Sequence, residues 1–127
     1  MGRYDMIRQV INIKHYWKVI VYYNIDYDFF NTSPVERISQ EVLNNLRYNK
    51  AKAVTISNIE KRESIVLINK HKTRSDYINS IVHEAEHVKQ AILDYYNVED
   101  IGENPAYLIG YLVSEMYKVY NKFLCSC

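Results

Sequence analysis

Cysteine is almost missing from this 127-residue chain: Cys125 and Cys127 stand at its very end and no others occur. One intervening residue makes a bond between them strained, so no disulfide framework holds the fold. They read as a reduced, frayed terminus, or as a Cys-x-Cys metal clip without identified partners. Glycine and proline are scarce, at three and two residues, and no linker or low-complexity tract marks a domain boundary. The chain therefore reads as one domain over residues 1–127. No apolar run approaches the roughly 20 residues that cross a bilayer. Met1–Asp5 opens no secretory signal. These gaps predict a cytoplasmic protein with no membrane contact. The formal net charge is only +1, which argues against nucleic acid as a partner. The one basic cluster, Lys70–Arg74, is too short to track a phosphate backbone and reads as a solvated loop.

Apolar and phenolic residues are plentiful. Hydrophobic residues make up 48% and charged residues 24%, which suits a globular chain able to build a core without staples. Thirteen tyrosines accompany abundant Asn, Ile and Lys. All four have AT-rich codons, so genome composition accounts for the bias; a tyrosine-rich binding face is the other reading.

Periodicity orders the elements. Residues Tyr16–Tyr23 alternate as a strand, with Trp17, Val19, Val21 and Tyr23 on one face. Met6–Ile13 reads equally as a strand or a short helix. Ser33-Pro34-Val35-Glu36 carries a capping box and predicts a helix to about Tyr48, with Val35, Ile38, Val42 and Leu46 as its stripe. Lys52–Ser57 and Ser64–Asn69 predict a strand pair joined through Asn58–Arg62, the second strand apolar on both faces. A long helix follows, capped by Thr73 with Asp76 or by Ser75, with Tyr77, Ile81, Ala85 or Val88, and Ile92 as its core stripe. It should end near Tyr96-Asn97. A last helix is expected from about Asn104 to Phe123, with Pro105 in its first turn. The order predicts an α+β fold, a small antiparallel or mixed sheet with helices packed on it.

His83-Glu84-Ala85-Glu86-His87 lies inside the long helix. Positions four apart in a helix sit one turn along the same face, so two imidazoles there can take adjacent positions on one tetrahedral metal. Neutral imidazole nitrogen suits zinc. Glu84, rotated by about 100° from His83, can reach a metal-bound water without ligating the metal. A carboxylate there can take the water's proton and pass it to a leaving amine. The plain alternative is two histidines on the polar face of an amphipathic helix. Glu86 is expected to be solvated or paired with Lys89 or Gln90. Tyr95, Tyr107 and Tyr111 are possible hydrogen-bond donors to a transition state but read first as packing residues. His15 and His71 are isolated and carry no expected role.

Downstream lies Glu103-Asn104-Pro105-Ala106-Tyr107. With the His-Glu-x-x-His helix, this segment resembles the gluzincin metallopeptidases, above all their minimal members, whose second helix carries a Glu-x-x-Ala-Asp motif or a relative of it. The resemblance covers roughly residues 52–123. It implies a zincin-like fold, with a C-terminal glutamate helix facing the active-site helix. It also implies a zinc ion held by His83, His87 and Glu103, Glu84 as general base and acid, and Ala106 as the small residue where the helices approach. Tyr107 stands where such families commonly carry an aspartate that supports a ligating histidine. In such folds the strand before the active helix, here Ser64–Asn69, lines the cleft and pairs with an extended peptide. The residue usage is also like that of small gluzincin-like proteins of phages or gut bacteria. The expected function is a zinc metallopeptidase acting on a peptide or protein. The alternative is a zinc-bearing, non-catalytic protein-binding module. A straight helix to Asn97 with an antiparallel return from Asn104 would bring Ser114 or Glu115, rather than Glu103, level with His87, so Glu115 stands as the second candidate ligand.

Overall fold

Seven residues, buried at all but one position, anchor the sheet. In a computed structural model that describes residues 6–14, 16–32 and 38–119, strand β2 (Trp17–Tyr23) sends Trp17, Val19, Val21 and Tyr23 into one core cluster and Ile20 and Tyr22 into another. A strand buried on both faces needs cover on both, and the chain supplies it as two layers of helix. Strand β1 (Ile7–Ile13) resolves the strand-or-helix ambiguity of the N-terminal segment and pairs antiparallel with β2. Strands β3 (Ala53–Asn58) and β4 (Glu63–Ile68) form the expected hairpin, with Arg62 at φ 52° in its turn. Strand β4 then runs parallel to β2, giving a mixed four-stranded sheet of order β1-β2-β4-β3.

Two short helices cover one face. Helix α1 (Tyr27–Thr32) was not anticipated; Asp26 starts it by accepting from the backbone amides of Asp28 and Phe29. Helix α2 (Gln40–Arg47) begins later than the sequence suggested, because Ser39 is the residue that caps it, accepting from the Val42 amide. The expected cap at Ser33–Glu36 lies outside the described residues. Phe30, Leu43 and Leu46 are buried beneath these helices with Ile20, Tyr22 and Leu67.

The long helix covers the other face. Helix α3 (Arg74–Tyr96) starts where Thr73 accepts from the Asp76 amide and stops where Asn97 turns left-handed at φ 55°. Tyr77, Ile81, Ala85, Val88 and Ile92 are all buried along it. Helix α4 (Glu103–Tyr117) is shorter than expected, giving way to a turn at Lys118–Val119. Residues 120–127, with both cysteines, lie outside the described part. Among the described residues no helix is long and apolar enough to cross a membrane.

The two long helices lie side by side. Helix α3 meets β3 and β4, whereas α4 meets β1. Two hydrogen bonds set α4 there: Gln9 Nε2 donates to the Glu115 carbonyl at 2.6 Å, and the Tyr23 hydroxyl reaches the Met116 carbonyl at 3.3 Å. Given the strand order, α3 occupies the β3 side of this face and α4 the β1 side.

The segment before α3 is tied down by a residue to which the sequence had lent no role. His71 is buried, stacks on the Tyr77 ring at 4.6 Å, and shares a 2.7 Å hydrogen bond with Ser80 Oγ. Burial holds its imidazole below the ordinary 6.5, with Lys52 adding to the effect; the main chain at Lys70 and Asn69 and the charge of Asp76 act the other way. The unfolded chain therefore binds the proton more readily than the folded one. Stability from this group is full above pH 6.5 and is lost as pH falls through the lowered folded-state value. Urea midpoints measured from pH 8 to pH 5 should fall with acidification more steeply for the parent than for His71→Gln. Parallel curves would show that the imidazole stays neutral in neither state preferentially.

Candidate metal centre

Helix α3 presents His83 and His87 on consecutive turns, and their rings converge. The two Nε2 atoms stand 3.2 Å apart, with ring centroids at 4.8 Å and planes nearly perpendicular. Two zinc–nitrogen bonds of about 2.05 Å meeting near the tetrahedral angle hold their nitrogens roughly 3.3 Å apart. The pair is thus spaced as two neighbouring vertices of a tetrahedron. Both side chains are exposed, so a cation can reach them from solvent. Without a metal, the same contact is satisfied when one neutral ring donates to the other.

Glu84 behaves differently. It turns inward and is only 4% exposed. Thr55 of β3 donates its hydroxyl to Glu84 Oε1 at 2.8 Å and lies 3.4 Å from the Glu84 carbonyl. No buried side-chain oxygen or nitrogen in the described part lacks a partner. Oε2, which has no partner there, must therefore touch solvent. One oxygen is thus fixed by Thr55 and the other faces solvent. A polar strip continues from Thr55 along the strands: Ser57 Oγ meets Ser64 Oγ at 2.8 Å, and Trp17 Nε1 donates to Ser64 at 3.0 Å.

Glu103 does not join this group. Tyr117 of α4 bonds to Arg74, so the helices run antiparallel. Equal rise along both from that contact sets Glu103 level with roughly Val88. The height suits a ligand because the intervening loop doubles back: Asp100 reaches Lys89 at 2.9 Å and Gln90 at 2.8 Å. Successive helical residues turn by about 100°, which puts Ala85 and the histidines on opposite sides of Glu84. Glu84 faces β3 and Ala85 faces the core shared with Leu112 of α4. Glu103 itself is exposed, and among the described residues it is not grouped with the imidazoles. Glu115 is further off, level with roughly Asp76, and its carboxylate pairs with Lys118. Among the described residues no three His, Cys, Asp or Glu side chains stand together as a metal site. The donor set present fits two positions on a zinc ion.

Nor is Ser64–Asn69 open to a peptide. Strand β4 has β2 on one side and β3 on the other. The strand with a free edge beside Glu84 is β3, since no described strand pairs with its outer side. Ala106, expected at the helix contact, is exposed instead, and Pro105 is the buried residue of that turn.

Glu86 pairs as expected. Lys89 sits between it and Asp100 at 2.9 Å from each. Hydrogen bonds from Lys89 and Gln90 hold the Glu86 carboxyl below its ordinary 4.5, a hydrogen bond from Lys89 lowers Asp100, and the bond to Glu86 raises Lys89. This clamp fixes the 97–102 loop on α3.

Comparison with known proteins leaves the chain by itself. No protein family, curated protein or solved structure matches it. The functional reading therefore rests on the site alone.

Proposed function

We propose that the chain is a zinc-dependent peptide hydrolase of zincin-like architecture, with His83 and His87 as its metal-holding residues. The observation that carries this reading is the 3.2 Å separation of the two Nε2 atoms; Glu84, the residue next to His83, has its carboxylate held by Thr55. Zinc bound there would lower the pKa of a coordinated water and polarise a carbonyl. The chain's own contribution is orientation and proton transfer. Thr55 fixes Glu84 through Oε1, so that Oε2 accepts a proton from water and later returns it to the departing amine. The outer edge of β3 accepts an extended peptide through main-chain hydrogen bonds, which places the substrate alongside Glu84. Glu103 has no part in this reading.

A second reading is favoured by two observations: Glu84 is largely buried against β3, and among the described residues no third ligand stands with the imidazoles. Both suit a zinc-bearing, non-catalytic module that binds a protein partner.

Metal analysis combined with cleavage of a peptide library tests the first reading. The parent protein should carry zinc and cleave, and chelation should stop cleavage. His83→Ala and His87→Ala should each lose the metal. Glu103→Ala should keep it, in contrast to what the resemblance to gluzincins implies. Zinc at about a hundredfold excess over its dissociation constant should add about 2.7 kcal/mol to stability. Zinc retained without cleavage would select the second reading. Unchanged metal content in both histidine variants would remove both.

A further inference from the structure

A second concavity lies on the far side of α3 from the imidazoles. A cleft of about 870 Å3 opens between the β1–β2 turn, the last turns of α3 and the first turns of α4. Its size falls within the roughly 300–1,000 Å3 of small-molecule sites. Ile13, Ile92 and Leu108 contribute apolar lining from three different elements. Its aromatic sides are phenol rings. Tyr16 and Tyr96 meet edge to face at 5.4 Å, and the Tyr96 hydroxyl donates to the Tyr16 carbonyl, which fixes that side. Tyr107 and Tyr111 stand one turn apart on α4 and line the cleft from another side; Tyr107 is 71% exposed.

The described lining of the cleft carries charge of one sign. Among the described residues lining it, Lys14 is the only formally charged one and none is a carboxylate. Lys14 stands in the β1–β2 turn at φ 53°, and no acid among the described residues pairs with it. Asn12 and Asn104 supply amides at the same site. Aromatic sides favour a flat apolar body, because stacked and edge contacts add to the burial of its surface. A lone ammonium beside an apolar floor favours one anionic group on that body and disfavours a cation.

We propose that this cleft binds a small aromatic carboxylate, its ring among the tyrosines and its anion at Lys14 Nζ. The proposal is independent of the metal centre. Naphthalene-2-carboxylate is a suitable probe, with naphthalene-2-methanol as its neutral counterpart. Calorimetric titration of the full chain, with EDTA present, should give one saturable site that prefers the carboxylate by about tenfold. Lys14→Gln should remove that preference and leave the affinity for the alcohol unchanged. Tyr107→Ala should weaken both probes. Both substituted side chains are exposed, and unchanged thermal melts will confirm that each variant folds. Equal affinity for the two probes, no saturation at millimolar concentration, or a Lys14→Gln variant that keeps its preference would overturn the proposal. So would carboxylate binding that appears only when EDTA is left out, since the anion would then be sitting on a metal.

Discussion

Glu84→Gln should retain zinc and the fold while losing peptide cleavage by about 10²–10⁴-fold, the usual contribution of a general base. The amide is isosteric, and its oxygen can still accept from Thr55, so the hydrogen bond that seats the side chain survives. What disappears is the ability of Oε2 to take a proton. Single-turnover assays with metal content measured on the same sample separate these outcomes. A melting temperature within a few degrees of the parent is expected, because a neutral–neutral hydrogen bond replaces a charge-assisted one at a cost of about 1 kcal/mol. Full activity in this variant would reduce Glu84 to a structural tie between α3 and β3.

Tyr77→Ala should lower stability by about 3–5 kcal/mol, a large part of what a domain of this size has. Tyr77 is fully buried in the first turn of α3. Its ring stacks on His71, and its hydroxyl donates to Asn24 Oδ1 at 3.0 Å, joining the helix to the end of β2. Removing the ring opens a cavity between helix and sheet. Tyr77→Phe keeps the ring and should cost only about 1 kcal/mol. Urea unfolding of the three proteins should therefore place Phe close to the parent and Ala far below it. Similar losses for Phe and Ala would make the hydroxyl, not the ring, the dominant contributor.

Local chemistry made much of the fold readable. The alternating face of Trp17–Tyr23, the Thr73 cap and the left-handed stop at Asn97 each depend on a few adjacent residues, and each occurs where those residues point. The converging imidazoles follow from helical spacing alone. What the sequence concealed was non-local. The continuous apolar run of β4 announced burial on both faces, yet it also meant an interior strand, so the free edge fell to β3 instead. The loop before α4 folds back onto α3 through Asp100, a contact that no local spacing announces. Which side of α3 receives α4 depends on contacts with β1 that lie about a hundred residues away, such as Gln9 with Glu115. His71 went unnoticed because its partners come from the helix that follows, and no spacing rule links them.

An outer strand with an unpaired edge can also pair with a copy of itself. Ala53-Val54-Thr55-Ile56-Ser57 is short, β-prone and uncharged, the composition that promotes edge-to-edge stacking in concentrated solution. Lys50 and Lys52 precede it, and Glu60, Lys61 and Arg62 follow. These flanking charges act as gatekeepers against aggregation, and neutralising them should shorten the shelf life of the purified protein before it alters anything in the core.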